Sequence, residues 1–259
     1  MTIPLIEMRN ITKAFGAVVA VKHVSLVVNA GEVVGLVGDN AAGKSTLMKI
    51  LSGVHTPDAG EILLDGREFR FASPMEARGA GIEMVYQDFA LVPELSVTQN
   101  IFLGREMGRS LGHRFLDKRQ MSDRAKDLIE RLGLRVPNVD APVRAISGGQ
   151  QQAVAIARAT AFDARVVIMD EPTASLGATA IEKVRQAISQ LKRHGVAVIV
   201  ISHRLEDIIA TADRAVVLKH GQLVGERVVA ETGTEEILYM IVAGQDPRRR
   251  ADVAGAASA

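Results

Sequence analysis

The chain contains no cysteine and no tryptophan, and only 3% of its residues are aromatic. Without cysteine it forms no disulfide or zinc–thiolate site and uses no thiol nucleophile. So few rings argue against a base-stacking platform for single-stranded nucleic acid. The 31 basic and 30 acidic residues give a net charge of +1, which provides no strong electrostatic footprint for nucleic acid.

Long apolar runs are also missing. Runs such as Val196–Ile201 are far shorter than the ~20 residues that a membrane-spanning helix needs. The first residues, MTIPLIEMRN, lack a basic segment followed by an apolar one, so no signal peptide is expected. The 259 residues, 47% of them apolar, can bury an ordinary core, and at ~150 residues per domain they predict one or two domains.

Short β-rich runs alternate with helical patterns along the chain. Strands are predicted at Leu5–Met8, Val24–Val28, Val33–Val37, Ile82–Tyr86, Arg165–Met169 and Val196–Ile201, with a hairpin at Ala215–Val229. Helices are predicted at Gly43–Leu51, from Ser73, and at Val97–Gly104, Lys118–Leu132, Ser147–Ala161, Thr179–His194 and Leu205–Ala210. The alternation predicts an α/β fold with a partly parallel sheet and a helical insertion.

A phosphate-binding motif follows one of these strands. GDNAAGKST matches G-x-x-x-x-G-K-[ST] and precedes a predicted helix, so its backbone N–H groups and the helix N-terminus would cradle phosphates. Lys44 would reach the β- and γ-phosphates, and the Ser45 hydroxyl would ligate Mg²⁺. The alternative is a glycine-rich turn that fits by chance. The predicted nucleotide-binding residues of this loop are Gly38, Asp39, Asn40, Ala41, Ala42, Gly43, Lys44, Ser45 and Thr46.

Two carboxylates end a later apolar strand, VVIMDE. Ligands of open α/β sheets collect at the carboxyl ends of strands. Asp170 is therefore predicted to hold Mg²⁺, mostly through water, and Glu171 to orient or deprotonate a water that attacks the γ-phosphate. Taken alone, this acidic pair is better explained as a cap for the helix that follows, but the phosphate loop earlier in the chain favours the functional interpretation.

A third motif, ISGGQQQAVAIARA, opens a predicted helix. Ser147 is a plausible N-cap, and the two glycines allow backbone to approach an anion closely. SGGQ opening a helix about 20 residues before an apolar Asp-Glu strand resembles the signature of ABC-transporter ATPases. With the phosphate loop, the resemblance covers about Leu5 to Gly244. It implies that Ser147, Gly148, Gly149 and Gln150 contact nucleotide.

The resemblance implies further assignments. Phe15 would stack on adenine, Gln87 would ligate Mg²⁺ and sense a membrane partner, and His203 would contact the γ-phosphate and join Lys44 and Glu171 as catalytic residues. Considered without the resemblance, Phe15, Gln87 and His203 are each more often an ordinary core or surface residue.

The implied fold is a P-loop NTPase core with a mixed, partly parallel sheet, an N-terminal antiparallel β portion and a helical insertion. A single domain would span residues 1–244. Its nucleotide-binding core would be residues 1–87 and 163–244, its helical subdomain residues 88–162, and residues 245–259 a flexible tail.

Two positions depart from the family pattern. Ala41 stands where many cassettes have a third glycine, and nucleotide binding is expected to survive if its backbone has φ < 0. Gly177 ends PTASLG where the family usually has Asp, so coupling between two nucleotide sites is expected to be weak. Alternatively, Gly177 adopts φ > 0 to start the next helix.

The stretch Ser73–Glu106 is similar to ATPases of bacterial monosaccharide importers of the ribose, xylose and fructose group. This resemblance implies ATP hydrolysis with Mg²⁺ by a homodimer on the inner face of the cell membrane. The partners would be permease subunits and, indirectly, a periplasmic sugar-binding protein, with no nucleic acid. The alternatives are an ATP-gated protein acting on nucleic acid or ribosomes, and a phosphate-loop kinase outside this family.

Overall fold

The computed structural model describes residues 3–108 and 116–248. A six-stranded sheet forms its centre, in the order β10-β9-β3-β8-β7-β6. Every neighbouring pair is parallel except the terminal hairpin of β9 and β10. The strands are β3 Val33–Val37, β6 Ile82–Val85, β7 Val166–Asp170, β8 Ala197–Ile201, β9 Arg214–Lys219 and β10 Gln222–Val228. Runs such as AVIVI are buried throughout, as expected of strands covered on both faces.

Alternate side chains of these strands pack into two separate apolar cores. In β3, Val33 and Val37 face one core, and Val34 and Leu36 face the other. This division follows from the two-residue side-chain period of a strand. The first core contains the buried face of the helical insertion, and the second contains the antiparallel sheet and the helix after the phosphate loop.

A second sheet, antiparallel, has the order β2-β1-β4-β5. Its strands are β1 Ile6–Phe15, β2 Val18–Val28, β4 Ala59–Leu64 and β5 Arg67–Phe69. The first two are longer than predicted, and the β4–β5 hairpin was not predicted. Its turn, Asp65-Gly66, has φ of 51° and 74°, the conformation of a two-residue hairpin turn.

Helices surround the central sheet. They are α1 Lys44–Leu51, α2 Pro74–Gly79, α3 Val97–Phe102, α4 Lys118–Arg131, α5 Gly148–Thr160, α6 Ala178–Arg193, α7 Leu205–Thr211 and α8 Thr234–Ala243. The α3, α4 and α5 helices pack on one another and form the predicted insertion. The last helix, α8, was not predicted. No helix of residues 3–108 and 116–248 is long and apolar enough to cross a membrane.

The start of the predicted tail is anchored. Asp246 pairs with Arg227 of β10, whose side chain is buried, and Arg248 lies 2.9 Å from Glu236 of α8. Residues 245–248 are therefore held against the end of the fold. The remainder of the predicted tail lies outside the described residues.

Candidate functional site

The phosphate loop joins β3 to α1, and its first and last glycines are sterically required. A Cβ on Gly38, where φ is 149°, would lie 2.1 Å from the carbonyl oxygen of Leu218. A Cβ on Gly43, where φ is 96°, would lie 2.5 Å from the carbonyl oxygen of Ala20. Both positions therefore exclude every other residue type, and β9 and β2 fix the shape of the loop.

Ala41 corrects an expectation. Its φ is +62°, not negative, so the condition under which alanine was expected to be harmless is not met. The left-handed conformation brings the Cβ of an L-residue close to the following carbonyl oxygen, at a cost of about 1–2 kcal/mol. The loop adopts this turn in spite of the cost, with Ala41 exposed and its neighbour Ala42 buried.

The Lys44 side chain folds back onto the phosphate loop. Its Nζ donates to the carbonyl oxygens of Gly38, at 2.8 Å, and Asp39, at 2.9 Å. Burial lowers the pKa of Lys44, while the charges of Glu171 and Asp170 oppose that shift. The ammonium is thus positioned within the loop and has two nearby carboxylates as its counter-charges.

Ser45 and Asp170 form an oxygen-rich pair at the carboxyl end of β7. Burial raises the pKa of Asp170, and the adjacent Glu171 raises it further, whereas Lys49, Lys44 and a hydrogen bond with Ser45 lower it. A hydroxyl and a carboxylate beside a phosphate loop are the hard oxygen donors that Mg²⁺ prefers. The donor set therefore fits a magnesium ion that is completed by water and phosphate oxygens.

Glu171 and His203 are brought together by the pairing of β7 with β8. Glu171 has φ of +51°, and its backbone N–H donates to the carbonyl of Ile201 at 2.9 Å. Its Oε1 accepts the backbone N–H of His203 at 3.1 Å. The Nδ1 of His203 lies 2.8 Å from Oε2, which nevertheless has no partner in hydrogen-bonding geometry. The carboxylate is therefore held by the chain, and its Oε2 is buried beside the imidazole of His203.

Gln87 and Phe15 lie at exposed positions. Gln87 comes two residues after β6, the strand beside β7, so it belongs to the same sheet edge as Asp170. Phe15 ends β1, with its ring 45% exposed and its centroid 5.2 Å from that of His55. An exposed aromatic ring at this place is open to stacking by a planar ligand.

The signature motif opens α5 on the helical insertion. The backbone N–H of Ser147 donates to the side chain of Gln150 at 2.9 Å, as in a capping box. A Cβ on Gly149 would lie 2.8 Å from the Cβ of Ala180, so this glycine allows α5 and α6 to pack closely. A Cβ on Gly148 would meet nothing within 4 Å. The two glycines thus differ, because only Gly148 faces open space.

The structure rules out the alternative in which Gly177 adopts positive φ. Its φ is −75° and its ψ is 160°, so it does not use the left-handed region to start α6. It is the N-cap residue of that helix, has no side-chain cap, and a Cβ there would meet nothing within 4 Å. The backbone would therefore accept the aspartate that is usual in the family.

Sequence reasoning missed a buried network behind this loop. The Thr173 hydroxyl and the Arg185 guanidinium, at 2.7 Å, both donate to the carboxylate of Asp207, which is 2% exposed. The network ties the segment after Glu171 to the helices α6 and α7. An acidic residue four positions after His203 was the available signal, but its partners are distant in sequence.

The sequence of this chain matches a known protein family and several individual relatives. The ABC transporter family profile matches residues 21–174. The xylose/arabinose import ATP-binding protein XylG of Sulfolobus acidocaldarius is 45% identical over 233 residues, 90% of this chain and 92% of that protein. The ribose import ATP-binding protein RbsA of Chromobacterium violaceum is 46% identical over 237 residues, 92% of this chain but 47% of that protein. The chain thus spans about half the length of such ribose import relatives.

Solved structures agree with the sequence relatives. A nucleotide-free ATP-binding cassette from an ABC transporter superposes with a TM-score of 0.80 at 27% identity, over 95% of this chain and 96% of that one. A dimeric bacterial ABC transporter cassette gives a TM-score of 0.74 at 28% identity, over 86% and 98%. The fold, the phosphate loop and these matches together show that the chain belongs to the ABC transporter family as an ATP-binding cassette.

Proposed function

We propose that this chain is the ATP-hydrolysing subunit of an importer for monosaccharides of the xylose or ribose kind. The observation that carries the proposal is the convergence of Lys44, Asp170, Glu171 and His203 at the carboxyl ends of β3, β7 and β8. The names of the relatives XylG and RbsA supply the sugar class.

Different residues would bind the phosphates, the metal ion and the adenine ring of ATP. The loop N–H groups and the Lys44 ammonium bind the phosphates, with charge-assisted contacts worth about 1.5–3 kcal/mol each. Ser45, Asp170 and Gln87 would hold Mg²⁺, which neutralises developing phosphate charge. Phe15 would stack on the adenine ring.

Glu171 is the residue proposed to act on water. Its Oε2 is buried beside the imidazole of His203, whose side chain is exposed, and movement of that ring would open the oxygen to a water molecule whose proton it accepts. His203 is 62% exposed on its side chain and lies beside the same carboxylate, which supports the proposed contact of its imidazole with the γ-phosphate.

A complete site needs a second copy of the cassette. Gly148 and Ser147 are exposed on the insertion, where they are free to meet nucleotide bound to a partner's phosphate loop. The dimeric cassette among the solved structures supports this pairing. Because the chain covers about half of RbsA, a homodimer would supply the two cassettes.

A permease would dock on the insertion near Gln87. Within the apolar stretch 89–95, Ala90 and Val92 are exposed, whereas Phe89 and Leu91 pack against the core. Through such a permease the cassette would sit on the inner face of the membrane, and a periplasmic sugar-binding protein would deliver the sugar. Crosslinks to the permease are expected from Val92 and not from the N-terminal strands.

The first test is biochemical. Purified protein should hydrolyse ATP only with Mg²⁺, and Lys44→Ala should abolish turnover and weaken nucleotide binding. Lys126→Ala, which removes an exposed lysine on α4, is the matched control and should keep full activity. Normal hydrolysis by Lys44→Ala would contradict the phosphate-loop assignment.

The second test is physiological. Deleting the gene should reduce uptake of radiolabelled xylose, ribose, arabinose or fructose, and wild-type protein should restore it while Lys44→Ala should not. Unchanged uptake of all four sugars, with nucleic acid or ribosomes co-purifying, would instead favour an ATP-gated protein acting on those partners.

A further inference from the structure

Arg158, on the helix α5 that opens with the signature motif, donates two hydrogen bonds to the loop that carries Gln87. The Nη1 of Arg158 donates to the carbonyl oxygen of Ala90 at 2.6 Å, and its Nη2 donates to that of Phe89 at 2.8 Å. One planar guanidinium thus spans two consecutive peptide carbonyls, a geometry that its fixed fork of donors favours.

The two residues whose carbonyls Arg158 binds have unusual backbone conformations. Phe89 has φ of 62° and Ala90 has φ of 45°, a conformation that costs an L-residue about 1–2 kcal/mol. Such conformations persist where the surroundings determine them. Here the Arg158 guanidinium stabilises this conformation, since it binds the carbonyls that the left-handed turn directs towards α5.

Gln87 lies within the turn that leads from β6 to Phe89. The backbone N–H of Phe89 donates to the carbonyl of Tyr86 at 3.0 Å, which closes the chain around Gln87 and Asp88. Gln87 itself is exposed. Its backbone position is therefore set on one side by β6 and on the other by the carbonyls that Arg158 holds.

Arg158 lies in a charged, partly buried environment. Burial lowers its pKa, as does the nearby charge of Arg78, while Glu83 opposes the shift. Glu83 is itself 6% exposed and lies 2.7 Å from Arg105. A cation in such surroundings needs acceptors, and the two loop carbonyls provide them.

We propose that Arg158 is the positioning residue for Gln87, and that it ties the placement of Gln87 in the nucleotide site to the helix that opens with the signature motif. This inference rests on the proposed function in one respect, namely that Gln87 takes part in ATP hydrolysis. Arg158 lies on α5 ten residues after Gly148, so one rigid helix joins the two sites.

A double-mutant cycle tests the proposal on the isolated protein. Arg158→Met should lower kcat by about tenfold while leaving KM for ATP within about threefold, because the phosphate loop is untouched. It should also raise the Mg²⁺ concentration needed for half-maximal activity. In a Gln87→Ala background the same change should alter kcat by less than about twofold, since the group it positions is already gone.

Arg124→Met is the matched control. Arg124 also lies in the insertion and donates to a backbone carbonyl, that of Ala161 at 3.1 Å, but it does not contact the loop. Its effect on kcat should be the same with and without Gln87. Equal effects of Arg158→Met in both backgrounds would overturn the proposal, because a general structural role is additive.

Arg158→Lys covers the case in which the methionine variant does not fold. It keeps the charge but replaces the rigid fork with one flexible ammonium, which holds the two carbonyls less firmly. The Phe89 amide should therefore exchange with deuterium about tenfold faster while the amides of α5 keep their protection. Unchanged exchange at Phe89 would overturn the proposal. If Gln87→Ala alone leaves kcat and the Mg²⁺ requirement unchanged while Lys44→Ala is inactive, ATP hydrolysis stands and the role given to Gln87, and hence to Arg158, fails.

Discussion

At the scale of single residues, the nucleotide site depends on backbone conformations that side-chain types alone do not reveal. Ala41, Glu171 and Phe89 all have positive φ. Each lies in a segment that follows a strand of the central sheet, where the chain turns sharply to present groups at the sheet edge. Strain of this kind collects where the surrounding structure fixes the backbone for a functional purpose.

Ala41→Gly should stabilise the protein. Glycine removes the cost of the left-handed conformation but adds chain entropy to the unfolded state, which leaves a net gain of about 0.5–1 kcal/mol. Urea unfolding measures the difference. Ala42→Gly is the control and should destabilise, because Ala42 is buried and does not have positive φ. Equal effects of the two changes would show that Ala41 is not strained.

Asp170→Asn should make stability less sensitive to pH. The pKa of Asp170 is raised in the folded state, so its contribution to stability is complete below the ordinary value of 3.8 and is lost as pH rises through the raised pKa. Asparagine cannot ionise, so the variant's stability advantage should grow from pH 4 towards pH 7 in urea unfolding, while its Mg²⁺-dependent hydrolysis is lost. An advantage that does not change with pH would contradict this.

At the scale of secondary-structure elements, loops between strands and helices carry the chemistry, and helix termini shape those loops. The segment from Glu171 to Gly177 joins β7 to α6 and is anchored by the bond of Thr173 to buried Asp207. Gly177 then begins α6 without a side-chain cap. The loop is therefore ordered from within the molecule, although it lacks the aspartate usual in the family.

Gly177→Asp should stabilise α6. The backbone is already extended and has room for a side chain, so a carboxylate at the N-cap should add about 0.5 kcal/mol, or roughly 1–2 °C in Tm. Gly177→Ala, which provides no cap oxygen, is the control and should give no such gain.

The same variant reports on coupling between sites. The wild-type protein should hydrolyse ATP with a Hill coefficient near one, and Gly177→Asp should raise that coefficient or the basal turnover. A loss of stability without any kinetic change would contradict both expectations.

At the scale of the whole molecule, one cassette presents its phosphate loop and its signature motif on different parts of the fold. The loop belongs to the central sheet, and the signature opens α5 of the insertion. In the proposed function, two chains associate so that both motifs contact one nucleotide, and bound ATP favours that association.

Glu171→Gln should keep ATP affinity but lower hydrolysis by about 10²–10⁴-fold, because an amide cannot accept the proton of the attacking water. ATP would then persist and hold two chains together. Size-exclusion chromatography with ATP and Mg²⁺ should show a dimer for the variant, and a monomer when Lys44→Ala is added. A variant that stays monomeric and active would show that Glu171 only caps the chain after β7.

Much of this protein is determined locally and was predicted from the sequence. The phosphate loop is specified by glycines at fixed positions, and the central strands by continuous apolar runs. The helix starts at Ser73 and Ser147 follow from capping residues a few positions apart. These features depend on neighbours in sequence, and the structure confirms them as elements.

Only the tertiary structure decided the rest, because the deciding contacts join residues far apart in sequence. The close approach of β9 to Gly38 and of β2 to Gly43 constrains the phosphate loop, and the β4–β5 hairpin gains its partner from β1. The link of Thr173 to Asp207 crosses 34 residues of sequence, and the links of Arg158 to the loop after Gln87 cross 68 and 69. No local pattern encodes such pairings, since each depends on the chain having already folded around them.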